Sequence, residues 1–323
     1  MNSSDFQVKR KSVPLVKKDL EPSMFDSIYE FFDKMFKSND SKEVKVKVNS
    51  NNDNCCNCPR SNNSKDYCDN IYEIIKMTKN NIINEESKEL YTQLLNIHEK
   101  SLDINGDNLR QIKKDINRTY PSNVKFKTER ILKKLKNVLR AFSNYNKTIK
   151  YFQGMNFIVG FFLYQCDEYI AFWLFVALIE EYDLINLFID GFPGLKLHVK
   201  RIEYILEKDY NNLWKVFQKM GVRVEIFMVE WLFSLFSSLI PLDLQMDFYK
   251  GFFSQGWIFF YKMCISVILN IKGGFSEADE VYIALKCGKN EDNAKEQDIK
   301  NEWKKIIQKA YNIHIKSDIL NIK

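Results

Sequence analysis

The chain has few of the residues and motifs on which most hydrolytic and metal-dependent sites depend. Only three histidines occur among its 323 residues, and they are widely separated, at His98, His198 and His314. The sequence contains no Gly-rich phosphate-binding loop, no Gly-x-Ser-x-Gly and no zinc-protease motif. We therefore predict that the chain binds no cofactor or metal ion, binds no nucleotide of its own, and is not itself an enzyme.

The sequence also shows no segment that is typical of a signal peptide or of a membrane span. The first 18 residues are polar and basic without an apolar core, so we expect no signal peptide. The apolar stretch 155–179 is interrupted by Asp167 and Glu168, and the stretch 256–271 is short and contains Lys262. The seven cysteines are scattered or lie in a polar loop, which is typical of a reducing compartment. We expect a soluble cytoplasmic protein.

The composition and periodicity predict an all-α fold. Hydrophobic residues make up 45% of the chain, with 25 phenylalanines, which is enough to build a large core. From residue 70 onwards the apolar residues recur at helical spacing, and no run alternates as a half-buried strand does. Glycines and prolines separate the segments. In the second half we predict helices over 157–165, 171–182, 197–210, 212–220, 227–239, 243–253 and 256–271.

Three regions are expected along the chain. Residues 1–69 form an N-terminal region with one short amphipathic helix, at about 22–36, and a polar Asn/Ser/Lys-rich insertion that we predict to be disordered. Residues 70–288 form the main helical domain, and 289–323 form a charged linker and a last helix near 299–311. Cys55 and Cys58 have the spacing of zinc ligands, but no second pair or nearby histidine completes a site, so we predict a loop.

A first polar signature ends a predicted helix. Ile112 and Ile116 lie on one helix face, and Pro121 disfavours helical geometry just before it, so the helix ends near Arg118. Asp115 precedes Arg118 by three residues and can orient its guanidinium, which suits bidentate contact with a phosphate. The simpler interpretation of this segment alone is a solvated arginine after a surface helix.

A second polar signature precedes a very apolar helix. Gly154 permits close approach to the backbone, and Asn156 can cap the helix that follows. In an extended segment Tyr151 and Gln153 face the same way, and the Gln153 carboxamide offers both a donor and an acceptor with which to position a water molecule. The simpler interpretation here is a turn with satisfied hydrogen bonds.

Positive charge is concentrated around the first signature. Residues 110–150, which we call the basic segment, contain 13 Lys or Arg against Asp115 and Glu129, a balance of +11. Because the whole chain carries +6, the remainder carries about −5. Such a segment attracts an acidic protein surface, nucleotide phosphates or an acidic membrane, although a solvated charged face explains most of these lysines. Nucleic acid is the competing partner, but the apolar residues here form a core stripe, and we expect no nucleic acid.

The two signatures together resemble the TBC-domain family of Rab GTPase-activating proteins. The pattern is Ile-x-x-Asp-x-x-Arg-Thr, followed some thirty residues later by Tyr-x-Gln-Gly-Met-Asn, and the resemblance extends over roughly residues 91–271. The first motif is filled by Ile112, Asp115, Arg118 and Thr119. The second motif is filled by Tyr151, Gln153, Gly154, Met155 and Asn156. The resemblance implies a TBC-type domain of two helical subdomains.

The resemblance also implies a function and a partner. Arg118 would be an arginine finger supplied in trans, and Gln153 a glutamine finger, to a Rab-type GTPase that holds GTP and Mg²⁺. We expect the Arg118 guanidinium and the Gln153 carboxamide to emerge side by side in one open groove. Asp115 would hold Arg118, and the remaining motif residues would bind the partner or shape the site. This activity would regulate vesicle trafficking, with peripheral contact with endomembranes. The alternative is a catalytically inactive helical scaffold that binds Rab.

The sequence departs from the family pattern at two places. Family members usually show an Arg-Ile-Trp-Asp-like sequence where this chain has Asp247, Phe248, Tyr249 and Lys250, so the charge is reversed at both ends. The Gly-Ile-Pro opening that is familiar in the domain is also missing. The first departure concerns the packing of the C-terminal half and the choice of partner, and it motivates the scaffold alternative.

Overall fold

The computed structural model describes residues 64–78, 84–97, 107–271, 274–286 and 296–322. The chain divides into two units, Met1–Val46 and Lys47–Lys323, and all described residues belong to the second unit. The predicted helix at 22–36, the loop with Cys55 and Cys58, and most of the charged linker lie outside the described residues.

Fourteen α-helices and two short 3₁₀ helices occur in this part of the chain, and it contains no strand, which confirms the predicted all-α class. The helices are α1 (Ser64–Met77), α2 (Glu85–Asn96), α3 (Asp107–Asn117), α4 (Glu129–Tyr145), α5 (Met155–Gln165), α6 (Glu168–Glu181), α7 (Ile185–Phe188), α8 (Pro193–Asp209), α9 (Asn211–Met220), α10 (Val224–Ser234), α11 (Gln245–Gln255), α12 (Trp257–Ile268), α13 (Ala278–Ala284) and α14 (Glu296–Asn312). The 3₁₀ helices are Lys125–Lys127 and Ser317–Asn321. Helix α1 begins inside the segment predicted to be a polar insertion. The division into two subdomains stays a prediction.

Helices α4, α5 and α6 form the centre of the first half. Helix α4 is amphipathic, and the apolar residues of its stripe from Leu135 to Phe142 are buried, as the spacing predicts. Helices α5 and α6 are apolar on every face and are almost wholly buried against α4 and each other. No helix of the described ranges is long and apolar enough to cross a membrane. Helix α3 packs on both α4 and α5, and this contact brings the end of the first signature to the second.

Helix α10 ends earlier than predicted. The apolar run favours a helix over 227–239, but α10 ends at Ser234 because Leu235 and Phe236 adopt left-handed backbone angles, φ 45° and 60°. Both side chains are fully buried. Burial of these two residues in the core therefore offsets the backbone cost of left-handed geometry, which is about 1–2 kcal/mol for each residue. A local pattern of apolar residues does not reveal this turn.

The segment that departs from the family pattern is well packed. Tyr249 of α11 is fully buried and stacks on Phe161 of α5, with ring centroids 4.3 Å apart and an interplanar angle of 5°. The Tyr249 hydroxyl lies 2.7 Å from the Ser237 hydroxyl. Lys250 Nζ lies 2.8 Å from Glu73 Oε2 of α1, so this lysine ties α11 to the first described helix. The departure thus leaves the packing of the C-terminal half intact.

Arg201 anchors the C-terminal 3₁₀ helix to α8. Its guanidinium is nearly buried and donates to the carbonyl oxygens of Leu320, at 2.6 Å, and Ile322, at 3.0 Å. It also donates to the Tyr261 hydroxyl at 3.1 Å. The neighbouring His198 Nδ1 lies 2.7 Å from the same hydroxyl. Burial is the main cause that lowers the pKa of His198 to about 3, and the positive charge of Arg201 adds to the shift.

This buried histidine makes the free energy of unfolding depend on pH. Unfolded histidine titrates near 6.5, so between that pH and about 3 the unfolded chain binds a proton that the folded chain does not. Stability is therefore lost as the pH falls below 6.5. We expect wild-type protein to lose about 2 kcal/mol more than a His198→Gln variant between pH 7 and pH 5, measured by urea unfolding at each pH. The same substitution at exposed His314 is the control. Parallel losses in wild type and His198→Gln would contradict the prediction.

Candidate functional site

A buried carboxylate lies at the centre of the site. Asp115, in the last turns of α3, is fully buried. Its Oδ2 accepts a hydrogen bond from the Tyr151 hydroxyl at 2.7 Å, and its Oδ1 forms an ion pair with Arg118 Nη2 at 2.6 Å. Burial raises the pKa of Asp115, and Arg118, Tyr151 and Gln111 oppose that shift. A buried charge requires such partners, so Asp115 ties the two signatures together.

Arg118 lies directly after the end of α3, as predicted. The helix ends at Asn117, and the Arg118 backbone N–H donates to the Asp115 carbonyl at 3.2 Å. The Arg118 side chain is 25% exposed, whereas the other residues of the two motifs that we singled out are buried. Arg118 is therefore the most solvent-accessible of these motif residues, and Asp115 orients its guanidinium.

Asn156 connects the two motifs, but it does not cap a helix. Helix α5 begins at Met155 with Gly154 as its N-cap residue, so the predicted capping role of Asn156 is wrong. The Asn156 amide donates to the Thr119 hydroxyl at 2.9 Å, and its oxygen accepts from the Gly154 N–H at 3.0 Å. Thr119 donates in turn to the Asp115 carbonyl at 2.8 Å. Asn156, the second residue of α5, therefore connects the start of α5 to the end of α3.

Gly154 occupies a position that excludes other residues. Its φ is 112°, outside the regions that L-residues adopt. A Cβ built at Gly154 would lie 2.4 Å from the Phe233 carbonyl oxygen of α10. Phe152, two residues earlier, stacks on the Phe233 ring with centroids 4.4 Å apart. The glycine thus allows the turn that carries Gln153 to lie directly on the backbone of α10.

We expect Gly154→Ala to lower the free energy of unfolding by at least about 3 kcal/mol, because backbone strain and a clash with an immobile backbone atom add. Gly221→Ala is the matched control, since Gly221 also has positive φ, at 70°, but an added Cβ would meet nothing within 4 Å. That control should lose only about 1–2 kcal/mol. Urea unfolding measures both, and equal losses would show that the contact with Phe233 has no energetic effect.

Gln153 is buried, contrary to expectation. Its residue exposure is 2%, so the prediction that it emerges beside Arg118 in an open groove is wrong for the chain without a partner. Its Nε2 atom is buried and has no hydrogen-bond partner among the described residues. A buried amide without a partner is unusual in a native structure and requires an explanation. Ile112 is also fully buried, so it shapes the site by packing.

Two further residues, Gln111 and Tyr120, contact the site although the sequence did not single them out. Gln111 Nε2 lies 3.2 Å and 3.4 Å from the two carboxylate oxygens of Asp115, and its position one helical turn earlier was the available signal. Tyr120 has φ 48° and donates from its hydroxyl to the Phe157 carbonyl at 2.7 Å, with Gln245 Oε1 at 3.0 Å. No local pattern indicates the contact with Gln245, which lies 125 positions away.

The described residues offer no metal site, since no three His, Cys, Asp or Glu among them are grouped to hold an ion. The fold and site define a helical domain that presents one arginine held by a buried carboxylate. Residues 61–273 match the sequence profile of the Rab-GTPase-TBC domain, and the chain belongs to this family. The resemblance drawn from the two motifs is thereby confirmed.

Two curated relatives illustrate the similarity. Rab GTPase-activating protein eat-17 of Caenorhabditis elegans is 33% identical over 175 residues, which cover 52% of this chain and 20% of that protein. Growth hormone-regulated TBC protein 1 of Xenopus tropicalis is 30% identical over 168 residues, which cover 51% of this chain and 49% of that protein. The chain therefore spans about half, or less, of the length of these relatives.

Two solved structures share the fold. The Chlamydomonas flagellar RabGAP TBC domain superposes with a TM-score of 0.59 at 16% identity, covering 92% of this chain and 97% of that one. The Ypt/Rab-GAP domain of Gyp1p superposes with a TM-score of 0.56 at 18% identity, covering 71% and 78% respectively. At these identities the likeness establishes the fold alone.

Proposed function

We propose that this protein is a GTPase-activating protein for Rab-type small GTPases in their GTP state. The observation that carries the proposal is the ion pair between Arg118 and Asp115. Arg118 is partly exposed at the end of α3, and Asp115 is bonded to the second motif through Tyr151. An arginine held in this way inside a TBC domain is suited to contact an anionic group on a docking partner.

Arg118 would act on GTP and Mg²⁺ that the partner GTPase holds. Transfer of the γ-phosphoryl group to water develops charge on its oxygens, and an arginine supplied in trans stabilises that charge. Because Asp115 already holds the guanidinium, less side-chain freedom is lost when the two proteins meet. The chain would thus donate a catalytic group without binding the nucleotide alone.

Gln153 would position the attacking water in place of the glutamine of the GTPase. Its burial means that docking must uncover the carboxamide before it reaches the nucleotide. The unpartnered Nε2 supports this role, because no hydrogen bond of that atom within the described residues must break during the movement. An unsatisfied buried donor costs about 1–3 kcal/mol, which contact with the partner would relieve.

The basic segment would guide the encounter. Its balance of +11 favours approach of acidic surfaces, including those of a GTPase and of the cytoplasmic face of endomembranes. We accordingly place the protein in the cytoplasm with peripheral contact with endomembranes, where its activity would regulate vesicle trafficking.

The test is a panel of Rab GTPases, each loaded with GTP, in a single-turnover assay of phosphate release with and without the protein. We expect accelerated release from at least one member. If every Rab that the protein binds hydrolyses GTP at its intrinsic rate, the proposal is wrong.

The alternative, a scaffold that binds Rab without changing its rate, is favoured by one observation, the burial of Gln153. Capture of GTP-loaded Rab on immobilised protein, together with unchanged phosphate release, would support the scaffold. Capture with accelerated release would support the activator.

A further inference from the structure

We propose that Gln111 is a positioning residue for Arg118, acting by fixing the Asp115 carboxylate that holds the guanidinium. Gln111 lies outside both motifs. The inference rests on the proposed function for its kinetic consequences, whereas its structural consequences can be tested without a partner.

Three side-chain donors contact the two oxygens of the Asp115 carboxylate. Arg118 Nη2 lies 2.6 Å from Oδ1, and the Tyr151 hydroxyl donates to Oδ2 at 2.7 Å. Gln111 Nε2 lies 3.2 Å from Oδ1 and 3.4 Å from Oδ2, so it spans both oxygens. A donor that spans both oxygens resists rotation of the carboxylate about its terminal bond, and thereby keeps Oδ1 directed at Arg118.

The chain positions this donor by helix geometry alone. Gln111 and Asp115 are four residues apart in α3, so their side chains lie on one face, one turn above the other. Gln111 is half-buried, whereas Asp115 is fully buried. The elements around Asp115 contribute Arg118 from the end of α3 and Tyr151 from the turn before α5 as charged or titratable groups.

The loss of Gln111 would have a chemical signature. Burial raises the pKa of Asp115, and the Gln111 hydrogen bond opposes this by favouring the charged form. Removal of that bond raises the pKa further. A protonated Asp115 no longer attracts the guanidinium as an ion, so Arg118 loses its orientation at a higher pH than in wild type.

The experiment compares wild type with Gln111→Met, which keeps the side-chain length but removes the donor. With a responsive GTPase at saturating protein, we expect stimulated hydrolysis to fall by about 3- to 10-fold, in line with one hydrogen bond. The affinity for the GTPase loaded with a non-hydrolysable GTP analogue should not change. The acid limb of the pH–rate profile should shift to higher pH.

Gln93→Met is the matched control. Gln93 Nε2 lies 3.4 Å from Glu89 Oε1, so this pair also joins a glutamine to a carboxylate four residues away on one helix, but on the exposed face of α2. This variant should keep the wild-type rate and pH profile. A rate and pH profile of Gln111→Met equal to those of wild type would overturn the proposal.

Two NMR measurements on the free protein test the same inference without a GTPase. In Gln111→Met the carboxyl ¹³C titration of Asp115 should move to higher pH, and the ¹⁵N order parameter of the Arg118 Nε–H group should fall. If both match wild type, Gln111 does not position Arg118. If they change as expected while wild type accelerates no Rab, the proposed function fails and the positioning role stands.

Discussion

Replacement of Arg118 by lysine is expected to lower stimulated GTP hydrolysis by about 10³-fold or more, because an arginine supplied in trans contributes about 10³ to 10⁵ to the rate. Lysine keeps the positive charge that Asp115 requires, so the folded chain should survive. It lacks the planar guanidinium, which pairs with Asp115 and has further N–H groups that could contact a phosphate oxygen at the same time. Single-turnover phosphate release from a responsive Rab measures the effect.

Arg130→Lys is the control for this substitution. Arg130 is exposed in the first turn of α4 and belongs to the basic segment, so it tests whether any arginine of that segment matters equally. We expect that variant to lie within about twofold of the wild-type rate, as for a rim charge that affects association alone. Equal losses at both positions would assign the effect to general electrostatics. An unchanged rate in Arg118→Lys and in Arg118→Ala would exclude the finger.

The second large effect is expected from Gln153→Leu, which should lower the stimulated rate by about 10²- to 10³-fold, as for the loss of one donor that acts on the reacting groups. The free energy of unfolding, in contrast, should rise or stay unchanged. The leucine removes a buried Nε2 that has no partner among the described residues, and it nearly conserves volume. Urea unfolding and phosphate release, measured on the same preparation, separate the two effects.

Gln245→Leu provides the contrast in stability. Gln245 is fully buried like Gln153, but its Nε2 donates to the carbonyl oxygens of Ser237, at 2.9 Å, and Ile240, at 2.8 Å. The same substitution there leaves two buried acceptors without this donor and should cost about 2–4 kcal/mol. If Gln153→Leu destabilises as much as Gln245→Leu, then Gln153 is part of the structural framework, and its proposed movement on docking is wrong.

Local rules account for much of the agreement between sequence and structure. Helix α3 ends at Asn117, close to the end near Arg118 that Pro121 predicts, and α4 buries the face on which its apolar residues recur. The pairing of Asp115 with Arg118 also follows from their spacing on one helix end. Each of these features depends on residues within about one or two helical turns, which a sequence displays directly.

The remaining features of the site depend on contacts between residues that are far apart in sequence, so local patterns did not predict them. Gly154 lies against Phe233, Tyr120 reaches Gln245, and α10 ends at Ser234, all because side chains far apart in sequence share one core.

The sequence by itself determined the helical class, the position of Arg118 and its pairing with Asp115, since spacing and chain stiffness act locally. Only the tertiary structure decided that Gln153 is covered while Arg118 remains partly exposed, because burial depends on which distant helices close over a residue.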